Sequence, residues 1–242
     1  MRNQIADRQI MAPVSGGTPH TNRRSLPRRA ALLALALGLG LAAPAWAQHD
    51  RPDCRPGEDG QLALFQDLYW RWVYGGLNLP VDGNSNAVVH NVVMMPIPNT
   101  PGDGTPGTQA VTLEAHQSWM LPFWNLLGTS YTDGTPPDQF LGLDVFKTLD
   151  IKFTVDGKTI VTTKNVMEYF AKFTYEPPIP INFPPYLAII WFEGVGILHG
   201  PLSPGTHTLQ LDVKNTEKLP PNFGGGVIEY HNTWNVTVNP PK

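Results

Sequence analysis

Cysteine is almost missing from this chain: Cys54 is the only one in 242 residues. No disulfide can form within the molecule, so apolar packing must hold its core. Positive charge is scarce beyond the first 47 residues. Six of the 17 Lys+Arg and one of the 20 Asp+Glu fall in that stretch, so the other 195 residues carry 11 basic and 19 acidic groups, a net charge of −8 with histidine neutral. That balance excludes nucleic acid and an anionic membrane surface as partners, because both demand a basic footprint. Long apolar runs are missing too. Residues 30–43 form the longest, too short to cross a bilayer comfortably.

Several chemical signatures are absent. The chain has no Gly-x-Ser-x-Gly elbow, no His-Glu-x-x-His and no phosphate-cradling glycine loop. His116, His199, His207 and His231 form no pair at metal-ligand spacing with a suitable third ligand. The run from Asp133 to Asp138 offers too few oxygen ligands at alternate positions for calcium. No metal and no cofactor is therefore expected.

What is present begins with a leader. Arg23, Arg24, Arg28 and Arg29 precede the uncharged run of Ala, Leu and Gly, and Ala45-Trp46-Ala47 supplies a small-x-small cleavage site. Residues 1–47 read as a signal peptide, with Gln48 as the mature start and no membrane span left after cleavage. The pair Arg23-Arg24 leaves the general and the twin-arginine export routes both open. The expected location is periplasmic or secreted. Residues 48–60, rich in Asp, Arg, Pro and Gly, read as a linker. Residues 61–242 read as one β-sandwich domain with a leading helix.

That helix is expected over 61–75, where Leu62, Phe65, Leu68, Trp72 and Val73 recur at helical spacing. Beyond it the 25 prolines and 23 glycines of the chain favour short strands and many turns. Strands are expected over 87–95, 110–113, 117–123, 148–155, 158–162, 186–192 and 195–198. Asp156-Gly157 has the residues of a tight type I′ hairpin. Residues 99–107 and 125–140 read as loops, and 176–185, with five prolines, as an extended connector. The period of 165–175 fits a strand or a short helix. Toward the end, His207, Leu209, Leu211 and Val213 share one strand face, and Ile228, Tyr230, Trp234, Val236 and Val238 share another. The expected fold is mainly β: a two-sheet antiparallel sandwich, immunoglobulin-like, with a jelly roll as the other arrangement.

Several segments together give a resemblance: Leu68-Tyr69-Trp70-Arg71-Trp72, Val111-Thr112-Leu113, Leu121-Pro122-Phe123-Trp124-Asn125, Val155-Asp156-Gly157 and the box from Pro201 to Leu209. In this order they resemble a group of exported bacterial proteins of unassigned function. The resemblance implies export, an aromatic helix before a β-domain, and a Leu-Ser-Pro-Gly-x-His-Thr box opening a C-terminal strand. It implies no activity.

Candidate binding residues are the rings Trp119, Trp124, Tyr131 and Trp191, read as lying in or beside loops, where flat faces stack on sugars or line an apolar pocket. Asp133, Glu193 and His231 are the polar candidates, His231 because Glu229 shares its side of the strand. Two functions follow. The first is a non-catalytic exported module that binds a glycan, a small ligand or an envelope protein. The alternative is a secreted hydrolase with a His/carboxylate site between the 125–140 loop and the C-terminal hairpin.

Overall fold

The computed structural model describes residues 60–241. The leader, all but the last residue of the linker, and Cys54 lie outside the described residues. Helix α1, Gln61–Gly75, stands where the apolar spacing placed it. Ten strands follow: β1 Val88–Val89, β2 Val92–Met94, β3 Asp103–Glu114, β4 Ser118–Tyr131, β5 Asp150–Val155, β6 Lys158–Thr162, β7 Phe170–Phe183, β8 Tyr186–His199, β9 Gly205–Lys214 and β10 Glu229–Asn239. A one-turn helix α2, Asp144–Lys147, precedes β5.

The strands make two five-stranded sheets packed face to face. The first has the order β1-β2-β4-β8-β7 and the second β3-β10-β9-β5-β6. The expected two-sheet sandwich is present, with two strand pairs that are parallel rather than antiparallel. Strands β2 and β4 run parallel, and so do β3 and β10. The cause is connectivity: between β2 and β4 the chain crosses to the other sheet to lay down β3, then returns in its original direction.

The first sheet is buried on both faces. Its inner face meets the second sheet through Trp119, Leu121, Trp191, Val195 and Ile197 against Phe153, Leu209, Leu211 and Trp234. Its outer face is covered by α1, where Phe65, Tyr69 and Trp70 pack with Met120, Leu127, Ile189 and Phe192. The layers are therefore helix, sheet, sheet, which is why β4 and β8 read as nearly continuous apolar runs. The second sheet keeps its outer face in water, and β9 alternates buried Leu209, Leu211 and Val213 with exposed Gln210 and Asp212.

Local expectations fare unevenly. Asp156 and Gly157 have φ of 52° and 76°, the two positive values of the tight hairpin. The 87–95 run is not one strand; it folds at His90 and Asn91 into the small hairpin of β1 and β2. The 99–107 loop ends earlier, because β3 already begins at Asp103. Pro106 is tolerated there because β3 is an edge strand with a single neighbour. The proline-rich 176–185 stretch is mostly strand β7, again on an edge, and its register breaks between Thr174 and Ile179. Arg71 of α1 fastens that break: it pairs with Asp67 at 2.9 Å, donates to the Pro177 carbonyl at 3.0 Å and lies over the Tyr175 ring. Residues 165–175 hold a turn of 3-10 helix, Val166–Tyr169, and then the start of β7. The two runs at 186–198 are one strand. Gly196 interrupts the apolar pattern because α1 comes close: a Cβ there would sit 2.2 Å from Gln66 Nε2.

Candidate functional site

The 125–140 segment is the main correction with a functional bearing. Strand β4 continues to Tyr131, and the loop proper runs over 132–143. It folds back over one end of the sandwich and is tied there by Asp138. The Asp138 carboxylate accepts from the Thr129 backbone N–H at 2.9 Å, the Thr129 hydroxyl at 2.9 Å, the Tyr131 hydroxyl at 2.9 Å and Asn222 Nδ2 at 2.9 Å. The Asp138 carbonyl accepts from the Trp191 indole N–H at 2.8 Å. Both carboxylate oxygens are thus engaged by donors of the chain itself.

Trp191 reaches that carbonyl by lying across β4 at Gly128. A Cβ on Gly128 would fall 1.8 Å from the indole ring, so no other residue fits beneath it. Phe140 tilts against Trp191 at 4.7 Å and Phe223 at 5.7 Å. A second contact secures the loop. Glu193, fully buried, accepts from the Leu141 backbone N–H through Oε1. Its Oε2 lies 3.6 Å from Lys172 Nζ, and that ammonium also sits 3.9 Å from the centre of the Phe140 ring. Burial pushes the Glu193 carboxyl above its usual range, against the lowering effect of the Leu141 N–H and Lys172.

Between this loop and the 3-10 turn Pro221–Phe223 lies a cleft of about 450 Å³. Tyr131, Phe140, Tyr186 and Phe223 supply its rings, Pro136, Pro137, Pro185, Pro220 and Pro221 its flat aliphatic walls, and Asp133, Asp138, Gln139 and Asn222 its polar groups. Tyr131 and Tyr186 face each other at 5.6 Å. Burial is the chief reason that the Tyr131 phenol is pushed up to about 12. It stays protonated and donating at any physiological pH.

Of the sequence-predicted residues, Tyr131 and Asp133 line the cleft, with Trp191 buried beside it. Asp133 accepts from the Thr135 N–H at 3.0 Å. Glu193 holds the loop but lines no part of the cleft. Trp119 and Trp124 are not loop-end rings: both stand inside β4, at 0 and 1% exposure. Trp119 stacks on His199 at 4.8 Å, and Trp124 meets Phe146 edge-on at 5.6 Å. Their interior position does not show in the sequence, because β4 is buried on both faces through most of its length and offers no alternation to read. His231 lies on the water-facing side of β10, with Nδ1 2.7 Å from Asp212 and Nε2 3.0 Å from Glu229. It is no part of the cleft lining. Its position opposite Asp212 follows from the β9–β10 register.

Sequence reasoning missed Asp138 as the tie of the loop, and with it Phe140, Asn222 and Phe223. No spacing rule links residues 138 and 222; the only local signal is an isolated acid just after Pro136-Pro137. Among the described residues, no group of three His, Cys, Asp or Glu side chains is placed to hold a metal ion. No family model matches the chain, and no curated protein matches it.

Proposed function

We propose that the protein is an exported, non-catalytic module whose cleft binds a neutral glycan by stacking on Tyr131 and Tyr186. The observation that carries this reading is the state of Asp138. A carboxylate with both oxygens committed to donors of its own chain has no lone pair to spend on acid/base work. Rings and prolines dominate the rest of the wall and suit the apolar faces of sugars. No Lys or Arg lines the cleft, so acidic glycans lack a counter-charge. Export rests on the leader-like order of basic, apolar and small residues ending at Ala47.

The test is calorimetric titration with neutral oligosaccharides of glucose and of N-acetylglucosamine, with a reducing-end assay run alongside. Binding by the wild type, without release of reducing ends, is expected. Tyr186→Ala should weaken it by roughly tenfold, the scale of one lost stacking contact. Undiminished binding by Tyr186→Ala, or progressive release of reducing ends, would overturn the proposal.

A further inference from the structure

A second cavity, about 40 Å³, lies beside β4. Beyond Met120 the side of β4 that faces β2 carries no strand among the described residues, because the β2 pairing ends at Met94. The space along that open edge is bounded by Trp70 of α1, by Ile97, by Phe123, Trp124 and Leu127 of β4, and by Tyr230 and Asn232 of β10. No charged residue lines it.

Its polar groups are unusual. Trp70, Trp124 and Asn232 are 4, 1 and 3% exposed, yet Trp70 Nε1, Trp124 Nε1 and Asn232 Oδ1 find no hydrogen-bond partner among the described residues. Buried polar groups are nearly always matched. This molecule matches its other indoles when it can: Trp191 donates to Asp138 and Trp234 to the Pro96 carbonyl at 2.7 Å. Trp119 Nε1 is also unmatched but lines no part of this cavity. Burial holds the Tyr230 phenol protonated as well. Two unmatched indole donors, one unmatched amide oxygen, a neutral phenol and the Asn125 amide thus border one chamber whose other walls are apolar.

We infer that this chamber between α1, β4 and β10 is a binding site for a small neutral hydroxyl compound. The hydroxyl oxygen accepts from the indole N–H groups, its O–H donates a hydrogen bond to the Asn232 amide oxygen, and its short carbon chain meets Ile97, Phe123 and Leu127. A single water needs about 10–15 Å³, so the chamber holds roughly three small groups, enough for the hydroxymethyl end of a diol or of a sugar. An anion would have no counter-charge there and a cation no carboxylate. The site is independent of the cleft at the end of the sandwich.

The experiment follows the indole N–H resonances of the ¹⁵N-labelled protein during titration with 1,2-propanediol in one arm and methyl glucoside in the other. The two arms distinguish a free diol from a sugar terminus. Saturable shifts at Trp70 and Trp124 are expected in at least one arm, with Trp119 and Trp234, which line neither cavity, unmoved as internal references. Trp70→Phe, which keeps a ring under α1 but removes one donor, should weaken binding about fivefold. Tyr186→Ala, a cleft variant, should leave it unchanged. Shifts that never saturate, or that move all the indoles alike, overturn the inference, because the chamber then holds only water. The wild-type titration decides the matter even if the Trp70 variant fails to fold.

Discussion

At the scale of single residues, Asp138 is the most consequential side chain. Its carboxylate gathers donors from β4 and from the 3-10 turn, and its carbonyl holds Trp191. Replacement by Ala leaves the Thr129 N–H and the Asn222 amide without an acceptor in a half-buried place. Asp138→Ala should therefore cost about 2–4 kcal/mol, read as a lower urea midpoint, whereas Asp138→Asn keeps the shape and some of the bonds and should cost less than half of that. Equal midpoints for Asp138→Ala and the wild type would show that the loop is tied elsewhere. His207 has a comparable role on a smaller scale. Its imidazole sits 2.7 Å from Asp156 and 2.8 Å from the Ser203 carbonyl, linking the β5–β6 hairpin to the turn before β9. The sequence placed this histidine on the inward face beside Leu209, and it is indeed largely covered. The identity of its partners was not legible, since Asp156 lies 51 residues away.

At the scale of elements, legibility followed the pattern each strand had to show. The β5–β6 hairpin alternates because one face meets water, and its turn residues declare themselves. Gly157 has φ of 76° and nothing within 4 Å of a would-be Cβ. Gly157→Val therefore clashes with no neighbour and is penalised by the backbone alone, at about 1–3 kcal/mol. A thermal unfolding curve superimposable on the wild type would contradict that assignment. The first half of β3 and the proline-rich half of β7 are hidden for the opposite reason. Both are edges that carry proline and glycine, which read as loop in one dimension and serve as edge protection in three. The continuation of β4 from Asn125 to Tyr131 does not read as strand because it mixes small polar residues with apolar ones, and only pairing with β8 gives that mixture a direction.

At the scale of the whole molecule, the mainly β class, the leading helix and the two-sheet packing were readable from composition and period. The covering of the first sheet by α1 was not, because a doubly buried strand and a core helix segment look alike in apolar content. Electrostatics gives the molecule a definite pH response. His207 faces oxygen acceptors from both ring nitrogens, and so does His231, between Asp212 and Glu229; such a ring is fully matched only as an imidazolium. For His207 burial pulls the pKa down, but Asp156 and Ser203 raise it by more; for His231 the Asp212 carboxylate is the main cause of the rise. A raised folded pKa stabilises the protein fully below the unfolded value, near 6.5, and the benefit is lost as pH rises through the folded value. Urea midpoints should therefore decline from pH 6 toward pH 9, and the double substitution His207→Gln with His231→Gln should flatten that decline. Glu193 acts in the same direction at lower pH. Its raised pKa favours the fold at acid pH, and that advantage fades as pH climbs from the unfolded value of about 4.5 through the folded one.

The parallel pairing of β3 with β10 also governs the order of assembly. Asn239 donates to Glu114 across 125 residues of chain, so β3 acquires its sole partner only when the last strand arrives. Contacts of such long range slow folding, since loop closure must come before any reward. Until then β3 and β9 each present a bare edge, and a chain that has not yet placed β10 cannot seal the second sheet. Loss of the eleven residues of β10, Glu229–Asn239, would strand β3 altogether. Strand β10 is thus the clasp of the second sheet, which closes only once that strand lies between β3 and β9.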